Sequence, residues 1–359
     1  MPNPNAVVAV ISRIDPPVVK SSAEMLREFP NGFLVELEGQ PSTRLYVTER
    51  AAAMLEILEG LRRLRTPVYL ELDPDTRGIN LLLIPLVSKV LRVSESKTGD
   101  LEVELEQSHA RHVLRRASAD ADQLLETLRG AQAKGQPLVV VENDAHEIID
   151  LRPHTGELPA NKGGGGVSPE RRRKGFWHWW CCWFRCVSPK KAQAMFDLCA
   201  AQTCNPLTVP PPCIPFLYPD DGCWARAHEM CRLMINAGVY PRKVWIDGHL
   251  HTLTKNNPAC FVGWYWHVAP TLCVKKGWWR RSEQVIDPSL FTGPVSQATW
   301  KGVQGDPGAT LTPTAASVYQ RPATTDPTYS QTNFYLNVYR LALQSRSTGP
   351  SGPPPYAFC

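Results

Sequence analysis

Residues 218–234 read YPDDGCWARAHEMCRLM, and this stretch decides how the surrounding chain folds. Residues 219–222 combine proline, aspartate and glycine, which is typical of a turn. The residues after them favour a helix, so Cys223 is predicted to lie at or just inside a helix N-terminus. Backbone N–H groups at that end of a helix favour an anion. We therefore expect them to lower the pKa of the Cys223 thiol and to offer donors to an oxyanion.

Two downstream strands supply the partners that a thiolate nucleophile needs, a base and a residue that orients the base. Residues 264–269 (WYWHVA) predict a strand carrying His267, and residues 284–291 (QVIDPSLF) place Asp287 at the end of another strand. This helix–strand–strand order is the layout of papain-like and transglutaminase-like cysteine enzymes. From the residues alone, the alternative is a buried structural cysteine, a strand histidine and a turn aspartate.

Several separate motifs in one order carry a family resemblance. They are CIPF at 213–216, YPDDGCWARAH at 218–228, WYWHVA at 264–269, IDPSLF at 286–291, GPV at 293–295 and Trp300. Together they resemble the bacterial protein-glutaminase family, whose members deamidate glutamine side chains in proteins. The resemblance extends over about residues 188–343, which is less than half of the chain.

The resemblance implies an α+β fold with a papain/transglutaminase-like catalytic domain. It implies that Cys223 is the nucleophile, His267 the general base and acid, and Asp287 the residue that orients His267. The implied reaction converts glutamine to glutamate with release of ammonia through a thioester, and it needs no cofactor or metal. A triad alone does not distinguish this reaction from transglutaminase-like acyl transfer or proteolysis, so both stay as alternatives.

Aromatic and acidic residues beside the predicted nucleophile are candidates for binding the substrate. Trp224 and Trp266 would line a groove for it, although core packing is the commoner role of such residues. Asp221 is a candidate for the same role or, with Asp220, for capping the helix. We predict a structural or surface role for His228.

The composition divides the chain into two regions of different kind. All 11 tryptophans and all 11 cysteines lie beyond residue 160. Residues 1–160 contain 18 Lys+Arg and 24 Asp+Glu, a net charge of −6, whereas residues 161–359 contain 21 and 10, a net charge of +11. The overall charge of +5 is too small to indicate nucleic-acid binding.

Residues 1–160 are predicted to form a small α+β domain. Residues 50–65 predict a helix and 68–72 a strand, and a similar helix–strand unit follows about 70 positions later. The pattern resembles an inhibitory pro-region, which would contact the catalytic domain of the same chain. The alternative is a targeting domain that delivers a toxin or effector deamidase to its partner protein. His109 and His112 are predicted to be surface residues, since no third metal ligand is apparent.

Residues 161–175 contain four consecutive glycines and four consecutive basic residues, which predict a flexible linker. The catalytic domain is then predicted to cover 176–359. Its first segment, 176–186, is rich in tryptophan and cysteine. We expect this segment to pack under or between domains; membrane contact and a zinc site are the weaker alternatives.

The chain shows no secretory signal and no apolar run of about 18 residues. Eleven cysteines fit five disulfides and one free thiol, or reduced thiols in a cytoplasm. The compartment therefore stays open from the residues, while the resemblance suggests secretion.

Overall fold

The structure is a computed structural model, and it describes residues 3–96, 98–156, 186–205, 213–277, 280–320 and 324–359. The chain forms two compact units. Unit 1 comprises Met1–Pro159 and Leu341–Pro354, and unit 2 comprises Ala160–Arg340 and Pro355–Cys359. The predicted linker and almost all of the aromatic segment 176–186 lie outside the described residues, and the predicted domain boundaries stay predictions. The α+β class predicted for the chain is confirmed.

Unit 1 alternates short strands with three helices among its described residues before the final helix. In chain order these are β1 (Ala6–Asp15), α1 (Ser22–Glu28), β2 (Phe33–Leu37), β3 (Gln40–Leu45), α2 (Ala51–Leu64), β4 (Pro67–Leu72), β5 (Ile79–Leu83), β6 (Leu86–Ser88), β7 (Val90–Glu95), β8 (Leu101–Leu105), β9 (His112–Leu114), α3 (Ala121–Lys134), β10 (Leu138–Glu142) and β11 (Ile148–Pro153).

Two hydrophobic cores organise unit 1. The first lies between α2 and an antiparallel sheet of order β3-β2-β1-β4-β5, where Leu55, Leu58 and Leu61 recur at helical spacing and are fully buried. The second lies between α3 and the sheets β11-β10-β6 and β7-β8-β9. The two predicted helix–strand units are therefore confirmed as α2–β4 and α3–β10.

Unit 2 is built on one long antiparallel sheet. Its elements are α4 (Pro189–Ala200), α5 (Cys223–Asn236), β12 (Arg242–Leu253), β13 (Phe261–Lys276), β14 (Arg280–Val285), β15 (Val295–Ser296), α6 (Gln297–Gly302), β16 (Thr310–Ala315) and α7 (Ser330–Ser347). The strand order is β15-β14-β13-β12-β16. Helix α5 packs against the central strand β13, so the helix start and the middle of the strand share one core.

The last turns of α7 and the residues after them belong to unit 1. Leu341 is fully buried in the core around α2. A Cβ at Gly60 would lie 2.8 Å from a Leu341 methyl carbon, so this close approach requires glycine. Further along, Gln344 donates to Glu56 and Arg346 to Asp144. The C-terminal segment is thus an integral part of a unit formed mostly by the first half of the chain.

Among the residues that the structure describes, three disulfides cross-link unit 2. They join Cys186 to Cys273, Cys204 to Cys213, and Cys260 to Cys359. Among the described residues, Cys199, Cys223 and Cys231 are free and buried. In the described ranges, no helix combines the length and apolar character that crossing a bilayer requires.

Candidate active site

Cys223 is the first residue of α5, as the turn before it predicts. The helix N-cap is Gly222, whose φ of 79° lies in the left-handed region. A Cβ at this position would also lie 2.4 Å from Cδ2 of Tyr339. Both the backbone conformation and the neighbouring ring therefore require glycine, and this fixes where the chain turns into the helix.

The turn before Cys223 is held by buried polar groups. Gly222 N–H donates to Asp221 Oδ1 over 2.8 Å, and the Tyr339 hydroxyl donates to Asp221 Oδ2 over 2.9 Å. The Arg226 guanidinium donates to the Asp221 carbonyl. Neither Asp221 nor Asp220 caps α5, whose N-cap makes no side-chain hydrogen bond, so that expectation is wrong. These groups instead fix the turn that positions the thiol.

His267 lies in the middle of β13, and Asp287 follows β14 by two residues. His267 Nε2–H donates to Asp287 Oδ2 over 2.9 Å. Trp300 Nε1–H donates to the same oxygen over 2.9 Å, and Ser289 N–H donates to Oδ1 over 3.2 Å. Three donors thus converge on one buried carboxylate.

The convergence keeps Asp287 ionised. Burial alone would raise its pKa, but the charge of His267 and the hydrogen bonds from His267 and Trp300 outweigh it, so the pKa of Asp287 is lowered. The indole of Trp264 stacks on the His267 ring, with centroids 4.5 Å apart and planes at 14°. The Trp300 ring lies 5.5 Å from the imidazole. The imidazole is therefore fixed both by its carboxylate and by the rings beside it.

The structure brings Cys223, His267 and Asp287 together. A ring nitrogen of His267 lies within 4.8 Å of the Cys223 sulfur. Because Nε2 bonds to Asp287, Nδ1 is the nitrogen suited to exchange a proton with the thiol. Cys223 lies at the start of a helix, His267 in the middle of a strand and Asp287 just after the end of another strand. The fold thus places a thiol, an imidazole and a carboxylate in one row, which is the arrangement that covalent acyl chemistry uses.

The protonation state of Cys223 differs from the expectation. The thiol is 1% exposed, and burial raises its pKa, while the nearby Arg226 acts in the opposite direction. The expected lowering of the pKa by the helix N-terminus is wrong for this state of the chain, because the loss of water outweighs it. Cys223 is therefore a thiol here, and a thiolate requires access of water.

The candidate substrate-binding residues lie in the interior of unit 2. Trp224 is fully buried, with its ring 5.8 Å from that of Trp266 and 5.4 Å from that of Tyr335. Trp266 is 9% exposed and Asp221 is 2% exposed. Contact of these three residues with substrate stays a prediction.

His228 and Lys243 form a second buried polar cluster. The sequence analysis identified His228 but not Lys243. Lys243 Nζ donates to His228 Nδ1 over 3.0 Å and to the Val318 carbonyl. His228 Nε2–H donates to the Asp326 carbonyl over 3.3 Å. Burial and the ammonium beside it lower the pKa of His228 to about 3. The ring is neutral and ties α5 to β12, in line with the predicted structural role.

His109 and His112 of unit 1 are both fully buried, so the expectation that they are surface residues is wrong. Sequence reasoning missed the bond from His112 to Glu142 because Glu142 lies 30 positions away, on a strand of a different sheet.

Comparisons with known proteins point to one family. Residues 192–304 match a family model described as glutaminase. A solved pro-protein-glutaminase is 24% identical, covers 76% of this chain and 97% of its own, and superposes with a TM-score of 0.52. None of the curated proteins compared with the chain matches it.

Two solved protein-glutaminases match about half of the chain. One is 30% identical and covers 48% of this chain and 99% of its own, with a TM-score of 0.38. The protein-glutaminase from Chryseobacterium proteolyticum is 31% identical and covers 48% of this chain and 97% of its own, with a TM-score of 0.40. The family-model match, with the likeness to pro-protein-glutaminase, shows that the chain belongs to the protein-glutaminase family of glutamine-deamidating hydrolases.

Proposed function

We propose that Cys223, His267 and Asp287 form the catalytic triad that deamidates glutamine side chains of proteins. The observation that carries the proposal is the row of three groups, with the imidazole between the thiol and the carboxylate. His267 bonds to Asp287 through one ring nitrogen, so its other nitrogen can take and return a proton at sulfur.

The reaction then runs in two halves. In the first, the Cys223 thiolate attacks the side-chain amide carbon, and His267 protonates the departing nitrogen, so ammonia leaves and a thioester forms. In the second, His267 takes a proton from water, which attacks the thioester carbon. The C–S bond breaks, glutamate is released, and the sulfur is free for another cycle.

Asp287 has a positioning role in this scheme. Its ionised carboxylate accepts the proton on Nε2 and so keeps Nδ1 directed to the chemistry. It also stabilises the imidazolium that forms when the thiol gives up its proton. The backbone N–H groups at the start of α5 are the candidate donors to the tetrahedral oxyanion, because the first turn of a helix leaves them without intrahelical partners.

The triad is tested by ammonia release from casein, with mass spectrometry of the product in oxygen-labelled water. Cys223→Ala is compared with Cys231→Ala, which removes another buried free thiol of the same helix. We expect labelled glutamate from the parent and Cys231→Ala chains once they are cleaved within 161–175, and none from Cys223→Ala. Activity that persists in Cys223→Ala would overturn the triad. Cross-linked or cleaved casein without ammonia would move the assignment to acyl transfer or proteolysis.

We further propose that residues 1–160 restrain the enzyme and that cleavage within 161–175 releases it. The likeness to a pro-protein-glutaminase covers 76% of this chain, which is more than the catalytic part alone. In the full chain Cys223 and His267 are 1% exposed and Asp287 is 2% exposed. This burial supports restraint, because a glutamine of a folded protein has to reach the sulfur of Cys223 before it can react.

The restraint is tested on the full chain, before and after limited trypsin treatment. The matched control carries Lys162→Gln, Arg171→Gln, Arg172→Gln, Arg173→Gln and Lys174→Gln, which removes every lysine and arginine of residues 161–175. We expect ammonia release to rise after trypsin in the parent chain and to stay low in the control. Equal activity of the intact and the cleaved parent would exclude restraint while leaving the triad intact.

A secreted location fits this proposal. Three disulfides are typical of proteins that fold in an oxidising compartment. Mass mapping of the purified chain under non-reducing conditions tests the three pairings.

A further inference from the structure

Three side chains of unit 1 converge at one point away from the catalytic residues. His112 lies on β9, Glu142 ends β10, and His146 lies in the turn between β10 and β11. Each offers a ligand atom, and these atoms all lie within 4.8 Å of one another. His112 is fully buried and His146 is 8% exposed. Two imidazoles and one carboxylate thus converge in a site that is almost closed to solvent.

The two rings share a single carboxylate. His112 Nδ1 bonds to one oxygen of Glu142, and His146 Nδ1 bonds to the other over 2.9 Å. The rings are nearly perpendicular, at 86°, with centroids 5.5 Å apart. Both imidazoles therefore direct the same type of nitrogen at one anion, from two directions. That convergence is what a tetrahedral cation site needs.

Groups around the cluster hold the ligands in place. The Ser108 hydroxyl lies 2.8 Å from His112 Nε2, on the side of the ring away from Glu142. When a metal occupies Nδ1, the proton resides on Nε2, and Ser108 can accept it. Metal-binding histidines in proteins usually have such a partner on the second nitrogen, and it fixes the orientation of the ring.

The backbone of the third ligand is held in an unusual conformation. His146 has a φ of 58°, in the left-handed region, which is unfavourable for a residue with a side chain. Its carbonyl accepts from Val113 N–H on β9 over 2.8 Å, and its N–H donates to the Asn143 carbonyl. Such strain persists only where the surroundings impose it. Here they direct the imidazole of His146 at the same carboxylate as that of His112.

We propose that His112, Glu142 and His146 bind one divalent transition-metal ion of the zinc class. Imidazole with carboxylate suits Zn²⁺ or Co²⁺, whereas Ca²⁺ and Mg²⁺ require oxygen ligands. Two imidazole nitrogens and one carboxylate leave a fourth position for water. The ion would cross-link β9, the end of β10 and the following turn. Unit 1 contains no cysteine, so a metal would supply there the kind of cross-link that disulfides supply in unit 2.

The proposal is tested with the full chain in a Cys223→Ala background, so that the catalytic thiol does not bind metal. The chain is treated with chelator, desalted and titrated with Zn²⁺ by calorimetry, and with Co²⁺ by visible absorption. We expect one tight equivalent of Zn²⁺, a Co²⁺ spectrum of a four-coordinate site, and a higher Tm when Zn²⁺ is present.

The decisive variant is His146→Asn, compared with His249→Asn as a matched control. Asparagine tolerates the left-handed conformation, so the turn is kept while the imidazole is lost. His249 is an exposed histidine of unit 2. We expect the tight equivalent to weaken by about 100-fold or more in His146→Asn and to be unchanged in His249→Asn.

Two results would overturn the proposal. One is the absence of a stoichiometric Zn²⁺ site in the parent chain. The other is a site that survives in His146→Asn, which would place the metal at other residues. If circular dichroism shows that His146→Asn does not fold, Glu142→Gln takes its place, because the amide keeps the size of the side chain but is a poor ligand. Retention of the site in Glu142→Gln counts equally against the proposal.

Discussion

Each unit contains a buried carboxylate bonded to imidazole, but the two are built differently. Asp287 in unit 2 bonds to a single histidine and takes its other hydrogen bonds from Trp300 and Ser289. Glu142 in unit 1 bonds to two histidines, one on each oxygen. A carboxylate that serves one ring leaves the second ring nitrogen for proton transfer. A carboxylate shared by two rings directs both rings at the same point, which favours an ion over a nucleophile.

The neighbours of each histidine reinforce this difference. His267 stacks on Trp264 and lies near Trp300, so its ring cannot rotate out of line with the sulfur of Cys223. His112 and His146 pack edge to face against each other. The aromatic rings in unit 2 fix one orientation for a reaction, whereas the crossed imidazoles in unit 1 both face the Glu142 carboxylate.

The largest effect is expected from Asp287→Asn. The substitution places an amide donor where the carboxylate now accepts from His267, Trp300 and Ser289, so at least one donor faces another donor. We expect kcat for ammonia release, measured after linker cleavage, to fall by about 10³-fold with little change in KM.

Asp306→Asn is the matched control for that measurement. Asp306 also accepts two backbone N–H groups, from His249 and Gly308, but it lies outside the triad. We expect its kcat to stay near the parent value. If both variants lose activity equally, general destabilisation of unit 2 explains the loss, and Asp287 has no special part in the chemistry.

Features of this site that depend on neighbouring residues in the sequence could be predicted. Features that depend on contacts between residues distant in the sequence could not. The helix starting at Cys223 and the strand carrying His267 follow from local turn and strand patterns, and both were predicted. Asp287 could be placed at a strand end for the same reason. The role of Trp300 as a donor to Asp287 could not be derived, because the contact spans 13 residues and depends on how α6 packs.

The predictions that were wrong or missing concern properties set by tertiary structure. The pKa of Cys223 is raised because the packed chain excludes water, which no local pattern reports. His112 lies buried on β9, and its partner Glu142 lies 30 positions away at the end of β10, in a different sheet. The assignment of Leu341–Pro354 to unit 1 was likewise invisible, since nothing in the local pattern of α7 marks the point where its surroundings change.

The second largest effect concerns the reactivity of Cys223. Burial keeps its pKa raised in the intact chain, so we expect slow alkylation by iodoacetamide at pH 8. Cleavage of the linker should expose the sulfur to water and accelerate its alkylation by about 100-fold, because each unit by which the pKa falls raises the thiolate fraction tenfold.

Cys199 and Cys231 serve as internal controls in the same digest. Burial raises the pKa of Cys199 to about 12 and that of Cys231 to about 11, so both should stay unlabelled before and after cleavage. Peptide mapping separates the three sites. Equal labelling of all three would mean that cleavage unfolds unit 2, and unchanged labelling of Cys223 would argue against restraint.

A third histidine environment sharpens the comparison, because His228 has an ammonium for a neighbour where the other two clusters have a carboxylate. Lys243, Arg232, Asp326 and the tyrosine rings surround it, and burial is the main reason that its pKa is lowered to about 3. In the unfolded chain the pKa of His228 is about 6.5, so the imidazole binds a proton more readily there than in the folded chain. The contribution of His228 to the free energy of unfolding is therefore fully present above about pH 6.5. It is lost as the pH drops from about 6.5 towards 3.

His228→Gln removes this titration while keeping a side chain that can form hydrogen bonds. We expect the free energy of unfolding, from urea denaturation, to fall between pH 7 and pH 4 by on the order of a few kcal/mol more in the parent than in the variant. His249→Gln, at an exposed site, should keep the slope of the parent. Identical slopes in all three chains would mean that the pKa of His228 is the same in the folded and the unfolded chain.

The smallest effect, and the finest test of the comparison, is Trp300→Phe. The substitution keeps an aromatic ring beside His267 but removes the N–H that donates to Asp287 Oδ2. Loss of one hydrogen bond to a carboxylate corresponds to about 1–2 kcal/mol, so kcat should fall by about tenfold. The pKa of Asp287 should rise as well, which moves the acidic limb of the pH profile to higher pH.

Trp245→Phe removes a comparable indole bond, to Thr314, without touching the triad. A shifted acidic limb in Trp300→Phe alone would show that the indole acts through the carboxylate, whereas equal losses in both variants without a shift would assign Trp300 to packing.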